Sequence, residues 1–448
     1  MSKLWQKDNQ DENALSSLVE AFTVGQDKEL DVVLASFDVL GSLAHTQMLS
    51  EVGLLTTDEK EALHEALKKI YKQTLKDNFT IGDGIEDIHS EVEFRLTEQL
   101  GEIGKKIHSG RSRNDQILLD LKLFARNELL EISLECYSLF NQLIELSNTH
   151  KDKLLPGYTH LQLAMPSSFG LWFAAYAESL VDDMQMLYTA FKVANKNPLG
   201  SGAGYGSSFP LNRNRTTELL GFESLNYNVV YAQMNRGKLE KTCAIALSNI
   251  AATLSKMAMD CCLYMNQNFG FINFPDELTT GSSIMPHKKN PDVWELIRAK
   301  CNKLQSLPNQ FTLILNNLPS GYHRDLQIIK EDFIYSFTTL KSCLQMTQVM
   351  LNHIKIEDNI LKDTKYTFLF TVDSVNELVN EGMSFRDAYV AVGKQVENGS
   401  YKKPKKLNHT LEGSLGNLYN DEIKLLMQTT FKQFPMQHIY QSIDDLLK

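Results

Sequence analysis

Between positions 279 and 292 the chain reads Thr279-Thr-Gly-Ser-Ser-Ile-Met-Pro-His-Lys-Lys-Asn-Pro-Asp292, a run in which glycine and proline frame a dense set of donors. By composition alone a surface connection is the default reading, and the chemistry argues against it. A serine beside a glycine, backbone amides and a lysine six residues on can hold an oxyanion or depress the pKa of a hydroxyl, as a proton-abstracting site needs. A second polar island is Lys105-Lys-Ile-His-Ser-Gly-Arg-Ser-Arg-Asn-Asp115. Ser112, Asn114 or Asp115 can cap a helix that starts there. Two lysines and two arginines crowd the same helix end, where cations are disfavoured; a bound carboxylate would neutralise them, with arginine offering a bidentate fork. The third island, Pro156-Gly-Tyr-Thr-His-Leu-Gln162, centres on a histidine. A lone histidine is more often structural than catalytic, yet Thr159, His160 and Gln162 form a polar knot among apolar neighbours, and histidine is the usual carrier of protons near neutrality.

The elements that position these islands follow from the breakers. Glycine and proline, 24 and 11 in 448 residues, make up about 8% of the chain against a usual share of about 12%. They are absent from 111–155, 171–197, 238–269 and 322–381. The first gap carries Ile117, Leu118, Leu121, Phe124, Leu129, Ile132, Leu139, Leu143 and Leu146 at the three-, four- and seven-residue spacing of one helical face. A helix filling most of it is on the order of 50 Å long. Several such rods side by side predict an elongated bundle whose wide apolar faces bury against other subunits as well as one another. Strand signals are weak: 310–315 is apolar but lacks alternation or a hairpin turn. The chain therefore reads as mostly α, in three parts. Residues 1–111 hold shorter helices, including an amphipathic one near 57–75; 112–357 hold the rods; 358–448 form a lysine-rich tail whose run at 402–406 reads as a solvated loop.

Composition excludes several classes. At 43% hydrophobic and 22% charged the chain is an ordinary globular one, and a formal charge of −10 gives no global field to gather nucleic acid or an anionic membrane. Six cysteines without metal-ligand spacing predict buried thiols, no disulfide scaffold and no zinc site. The first residues show no secretory pattern, so a cytoplasmic location is expected. The most apolar stretch, 243–265, is interrupted by Asn249, Lys256 and Asp260, which argues for a buried helix over a membrane span. Gly200-Ser-Gly-Ala-Gly-Tyr-Gly206 cannot be registered on a dinucleotide fingerprint, and its amides are expected to face something small.

Taken together, the motifs resemble those of the argininosuccinate lyase family in the fumarase/aspartase superfamily, over most of the chain. Gly281-Ser-Ser-Ile-Met-Pro-His-Lys-Lys-Asn-Pro291 is similar to the superfamily signature loop, and the segments 108–116, 156–162 and Gly321-Tyr-His-Arg-Asp-Leu-Gln327 narrow the match, with Asp38-Val-Leu-Gly-Ser42 and Glu86-Asp-Ile-His89 in agreement. The resemblance implies a three-domain, mostly helical chain with a long central bundle. It also implies a homotetramer with a 20-helix core, active sites shared by three subunits, and elimination of fumarate from argininosuccinate without metal or organic cofactor. It assigns Ser282 as the base, and Lys288 and Asn290 as stabilisers of an aci-carboxylate. His160 becomes the acid or its close neighbour, with Glu295 orienting it. Arg113, Asn114, Thr159, Tyr322, Gln327 and Lys330 would hold the substrate, with Ser112, Asp87 and His89 lining the same pocket.

Two departures stand out. The family usually opens with a Trp-Gly-Gly-Arg-Phe segment followed by a serine contact; here the chain has Leu4-Trp-Gln-Lys7 and a Phe22-Thr-Val-Gly-Gln-Asp27 segment two residues shorter, leaving Thr23 and Asp27 as alternatives for the contact. His287 stands where the family usually has glutamine, and adenylosuccinate lyases can carry histidine there, so that position favours the purine enzyme as runner-up. A second alternative is a structural role, since some relatives in vertebrate lens are crystallins; the presence of Ser282, Lys288, His160 and Glu295 argues for activity.

Overall fold

The computed structural model describes residues 14–448 except Asp77 and Lys405; the Leu4–Lys7 departure lies outside the described residues. The breaker-free gaps are helices. Arg113–Thr149 runs for 37 residues, about 55 Å at 1.5 Å per residue; Phe169–Ala194 and Ile329–Asn352 pack beside it, and Lys238–Met265 packs against those two. Leu121, Ile132, Leu139 and Leu143 of the first rod meet Phe173, Leu180, Leu247, Ile250, Leu254, Phe337 and Leu344 in one continuous core. Phe124, Phe333 and Phe337 interlock edge to face with centroids 5.2–6.1 Å apart, a geometry that adds to simple area burial.

A second core joins Asp27–Glu51, Thr57–Thr74 and Ile88–Leu100 to the first turns of the long rod through Leu119 and Leu123. The amphipathic helix expected near 57–75 is Thr57–Thr74, opened by a reciprocal capping box in which Thr56 Oγ1 accepts from Glu59 N and Thr56 N donates to Glu59 Oε2. A small third core gathers Val375, Ala388, Val392 and Tyr401. The last two helices turn back: Ile423 and Met427 of Asn420–Phe431 enter the central core, and Leu446 of Met436–Leu447 enters the second. Helix Asp27–Glu51 is long and apolar enough to cross a membrane by length and composition, but 72% of its most apolar window is buried inside the protein, so it serves as a core helix.

The 310–315 stretch, read as lacking the pattern of a strand, lies in helix Leu307–Leu315, in keeping with a mostly α chain. Two expectations need correction or completion. The segment 156–162, expected as a connection between rods, is an antiparallel hairpin of Leu154–Thr159 with Gln162–Ser168. Thr280–Gly281 pairs with Lys289–Asn290, closing the neck of the signature loop. All six cysteines are free, as expected, and Lys402, Lys403 and Lys406 are exposed while Lys405 lies outside the described residues.

Candidate active site

The long rod begins in a capping box. Ser112 Oγ accepts from Asn114 N, and Ser112 N donates to Asp115 Oδ1 at 2.9 Å. Asp115 is fully buried, and its other oxygen accepts from Gly200 N and Gly202 N, both at 2.9 Å. The amides of the glycine-rich loop therefore face a carboxylate of the chain itself. Burial pushes the Asp115 carboxyl up to about 6 despite those amide bonds.

Just beyond the cap, a cleft of about 230 Å³ is lined by Asp27, Asp31, Glu86, Asp87, His89, Arg113, Asn114, Arg236, Tyr322, Arg324, Gln327 and Lys330. Seven residues expected to hold or line the substrate meet here: Asp87, His89, Arg113, Asn114, Tyr322, Gln327 and Lys330. Ser112 caps the adjoining helix. Arg113 donates to Glu86 Oε2 at 2.9 Å and to Ser90 Oγ at 2.8 Å, with Asp87 Oδ2 at 3.3 Å. Lys330 is buried against Asp27 and Asp31. Lys105 pairs with Glu102, Lys106 with Glu59, and Arg111 is half-buried with Ser42 Oγ 3.0 Å away and the charges of Asp38, Asp115 and Asp120 around it. The crowding of cations at this helix end, expected to require a bound anion, is thus met by carboxylates of the protein. Gln327 Nε2 donates to the carbonyls of Thr23 and Val24, and Arg324 to that of Thr23, so the turn 321–327 straps the shortened N-terminal segment beside the cleft. Asp27, one of the two alternatives for the N-terminal contact, lines the cleft and is ion-paired to Lys330.

Beneath the cleft His89 is clamped by acids. Its Nδ1 lies 2.7 Å from Asp38 Oδ1 and 3.7 Å from Asp120 Oδ2. Burial alone favours the neutral ring, but the charge and hydrogen bond of Asp38, with Asp120 and Asp87, outweigh it and lift His89 to about 10. His89 is therefore a fixed cation at neutral pH. Burial and the neighbouring Asp38 push Asp120 well up, whereas Asp87, half-buried and partly desolvated, is held low by His89 and Arg113. The donor atoms of Asp38, His89 and Asp120 lie within 4.8 Å of one another, a spacing that a metal ion could also bridge.

None of the residues assigned to proton transfer lines this cleft. Ser282, half-buried, is the first residue past the neck of the signature loop, and its Oγ accepts from Met285 N at 3.1 Å and Ile284 N at 3.3 Å. Two amides aimed at this oxygen favour its anionic form. Lys288 is exposed, Asn290 lies in the neck with its Nδ2 3.4 Å from Thr280 Oγ1, and Glu295 is exposed on helix Asp292–Leu304 with Arg298 4.0 Å away. Thr159 and His160 sit exposed at the tip of the 154–168 hairpin. His160 and Leu161 form its two-residue turn with φ of 54° and 58°, the positive values such turns demand, usually supplied by Asn-Gly. Leu161 is a β-turn residue held in left-handed backbone while 79% exposed, a strained feature of the kind that collects at functional sites. Within one chain, then, the structure brings seven of the substrate-holding residues together, and leaves Thr159 with His160 on the hairpin, Ser282, Lys288 and Asn290 in the signature loop and its neck, and Glu295 on the helix that follows.

Sequence reasoning passed over Asp31, Glu86 and Arg236 in the cleft. Arg236 is buried, bonded to Glu240 at 2.7 Å and to the Leu326 carbonyl at 3.1 Å. It lies in Gln233-Met-Asn-Arg-Gly237 immediately before a rod, the same polar-island signal that marked the other three sites.

A family model described as Lyase matches residues 10–305, and with it the long rods with polar loops at their ends are those of a lyase of the fumarase/aspartase kind. A solved structure of EDDS lyase in complex with formate shares the fold, with a TM-score of 0.77 over 95% of this chain and 94% of that one at 20% identity. Argininosuccinate lyase of Bacteroides fragilis is 60% identical over 445 residues, 99% of both chains, and that of Phocaeicola vulgatus 59% over the same span. The chain belongs to the argininosuccinate lyase family.

Proposed function

We propose that the chain catalyses reversible β-elimination of argininosuccinate to L-arginine and fumarate, in arginine biosynthesis. The observation that carries this reading is near-complete, 60% identical coverage by an argininosuccinate lyase, joined to a cleft that mixes acids and cations as a substrate with amino and carboxylate groups requires.

In this reading Ser282 takes a proton from the carbon beside the succinyl carboxylate, and the electron pair moves into that carboxylate to give an aci-carboxylate. Lys288, Asn290 and the loop amides offset the second negative charge. The pair then returns to form the fumarate double bond as the carbon–nitrogen bond breaks, and His160, oriented by Glu295, protonates the departing guanidino nitrogen. Ser112, Arg113, Asn114, Thr159, Tyr322, Gln327 and Lys330 hold the substrate, with Asp87 and His89 beside them. No metal or organic cofactor enters the scheme. Serine is a weak base at its free pKa; the two amides on its Oγ, Lys288 and exclusion of water by the closing loop supply the activation. The separation of the two residue sets in one chain supports a homotetramer in which neighbouring subunits complete each site, the rods pooling into a 20-helix core. We place the enzyme in the cytoplasm, with domains at 1–111, 112–357 and 358–448.

Incubation of the pure protein with argininosuccinate is expected to raise ultraviolet absorbance as fumarate forms. Turnover of adenylosuccinate instead, the outcome His287 would favour, overturns the substrate assignment, and a flat response to both supports a structural protein.

A further inference from the structure

An ordinary capping carboxylate uses one oxygen, and Asp115 does so toward Ser112 N. Its second oxygen is the unusual feature: it is bonded by the amides of Gly200 and Gly202, 85 and 87 residues away along the chain. The loop that supplies them is built for this contact. Gly200 and Gly202 have φ of 81° and 59°, and a Cβ on Gly202 would lie 2.9 Å from the Gly206 carbonyl oxygen. From the other side Arg213 braces the loop, donating to the carbonyls of Leu199 and Asn226 at 2.8 Å each. A continuous set of contacts thus runs from Arg213 through the glycine loop and the buried carboxylate to Ser112, the residue that precedes Arg113 and Asn114 in the cleft.

We propose that Asp115 is a positioning residue for the elimination, clamping the 112–114 segment to the glycine loop so that Arg113 and Asn114 meet the substrate in one fixed arrangement. The inference rests on the reading that Arg113 and Asn114 bind substrate. It follows that loosening the clamp weakens substrate binding more than the chemical step, because Ser282 and His160 lie on other loops.

The test is steady-state kinetics with argininosuccinate on Asp115→Asn, Gly202→Ala, the double variant and Arg113→Lys. Asp115→Asn keeps size and shape but turns an N–H toward one set of amides. The expected result is a KM raised about tenfold or more, equivalent to about 1.4 kcal/mol, with kcat changed less than about threefold, and a size-exclusion profile unchanged from wild type. Gly202→Ala, which leaves the carboxylate in place, is expected to raise KM similarly, and the double variant to show less than the sum of the two effects. If Arg113→Lys raises KM while Asp115→Asn and Gly202→Ala do not, the positioning role is overturned. A change confined to the yield of folded protein, with unaltered KM in the folded fraction, overturns it as well. If Arg113→Lys itself leaves KM unchanged, it is the binding reading that fails.

Discussion

Asp38→Asn tests the electrostatics under the cleft. The substitution keeps the volume of the side chain and removes the charge 2.7 Å from His89 Nδ1, between groups only 2% and 6% exposed. His89 is held near 10 against an ordinary 6.5. The stabilisation this represents is complete below pH 6.5 and is lost as pH climbs through 10. At about 1.4 kcal/mol per pH unit the gap corresponds to about 5 kcal/mol. Asp120 gives part of that back, because burial and Asp38 raise its own carboxyl. The expected loss is therefore near the lower end of what breaking a buried pair costs, about 3 kcal/mol. Urea unfolding followed by circular dichroism, at equal protomer concentration because the proposed homotetramer would couple stability to concentration, measures it at pH 6 and pH 10. The penalty should be about 3 kcal/mol at pH 6 and shrink below about 1 kcal/mol at pH 10. A penalty that stays flat across this range would show that Asp38 acts through shape and that His89 is not the cation described.

Three further outcomes are expected. Ser282→Ala should lower turnover about 100-fold or more without changing the assembly, since general-base contributions run from about 10² to 10⁴; near-normal turnover removes Ser282 from the mechanism. Inactive Ser282→Ala and His160→Ala chains, mixed and reassembled, should regain activity, and complete silence despite proven subunit exchange counts against a shared site. Leu161→Gly relieves left-handed backbone worth about 1–2 kcal/mol against about 0.5–1 kcal/mol of added chain freedom. Its urea midpoint should rise, and a fall would show that the exposed Leu161 side chain is covered in the assembly.

The rods were legible because a helix announces itself locally: missing breakers and a three-to-four spacing suffice, as at 113–149. The 154–168 hairpin was hidden because its turn is His160-Leu161 in place of Asn-Gly, and its register depends on pairing that leaves no mark on either strand alone. Of the candidate site, the residue types were readable and their partners were not. Nothing near Arg113 in the long rod indicates that Glu86 and Asp87 neutralise it, and nothing in the glycine run indicates that its guest is Asp115. Buried ion pairs between distant segments are consequences of topology, and topology is the part that one sequence carries least directly.

The two-strand neck at Thr280–Gly281 and Lys289–Asn290 separates two quantities for the signature loop. Ser282 is one residue from the neck, within about 4 Å of it, whereas Met285, four residues past Gly281, can lie as far as about 14 Å from it. The location of the hydroxyl is thus set by the neck more than by the tip. Its strength is set elsewhere, by the Ile284 and Met285 amides that the tip carries. If Ser282 is the base proposed above, displacing the tip would weaken the oxygen as a base without relocating it, and residues inserted between 284 and 287 would retune its basicity while leaving the hydroxyl in place.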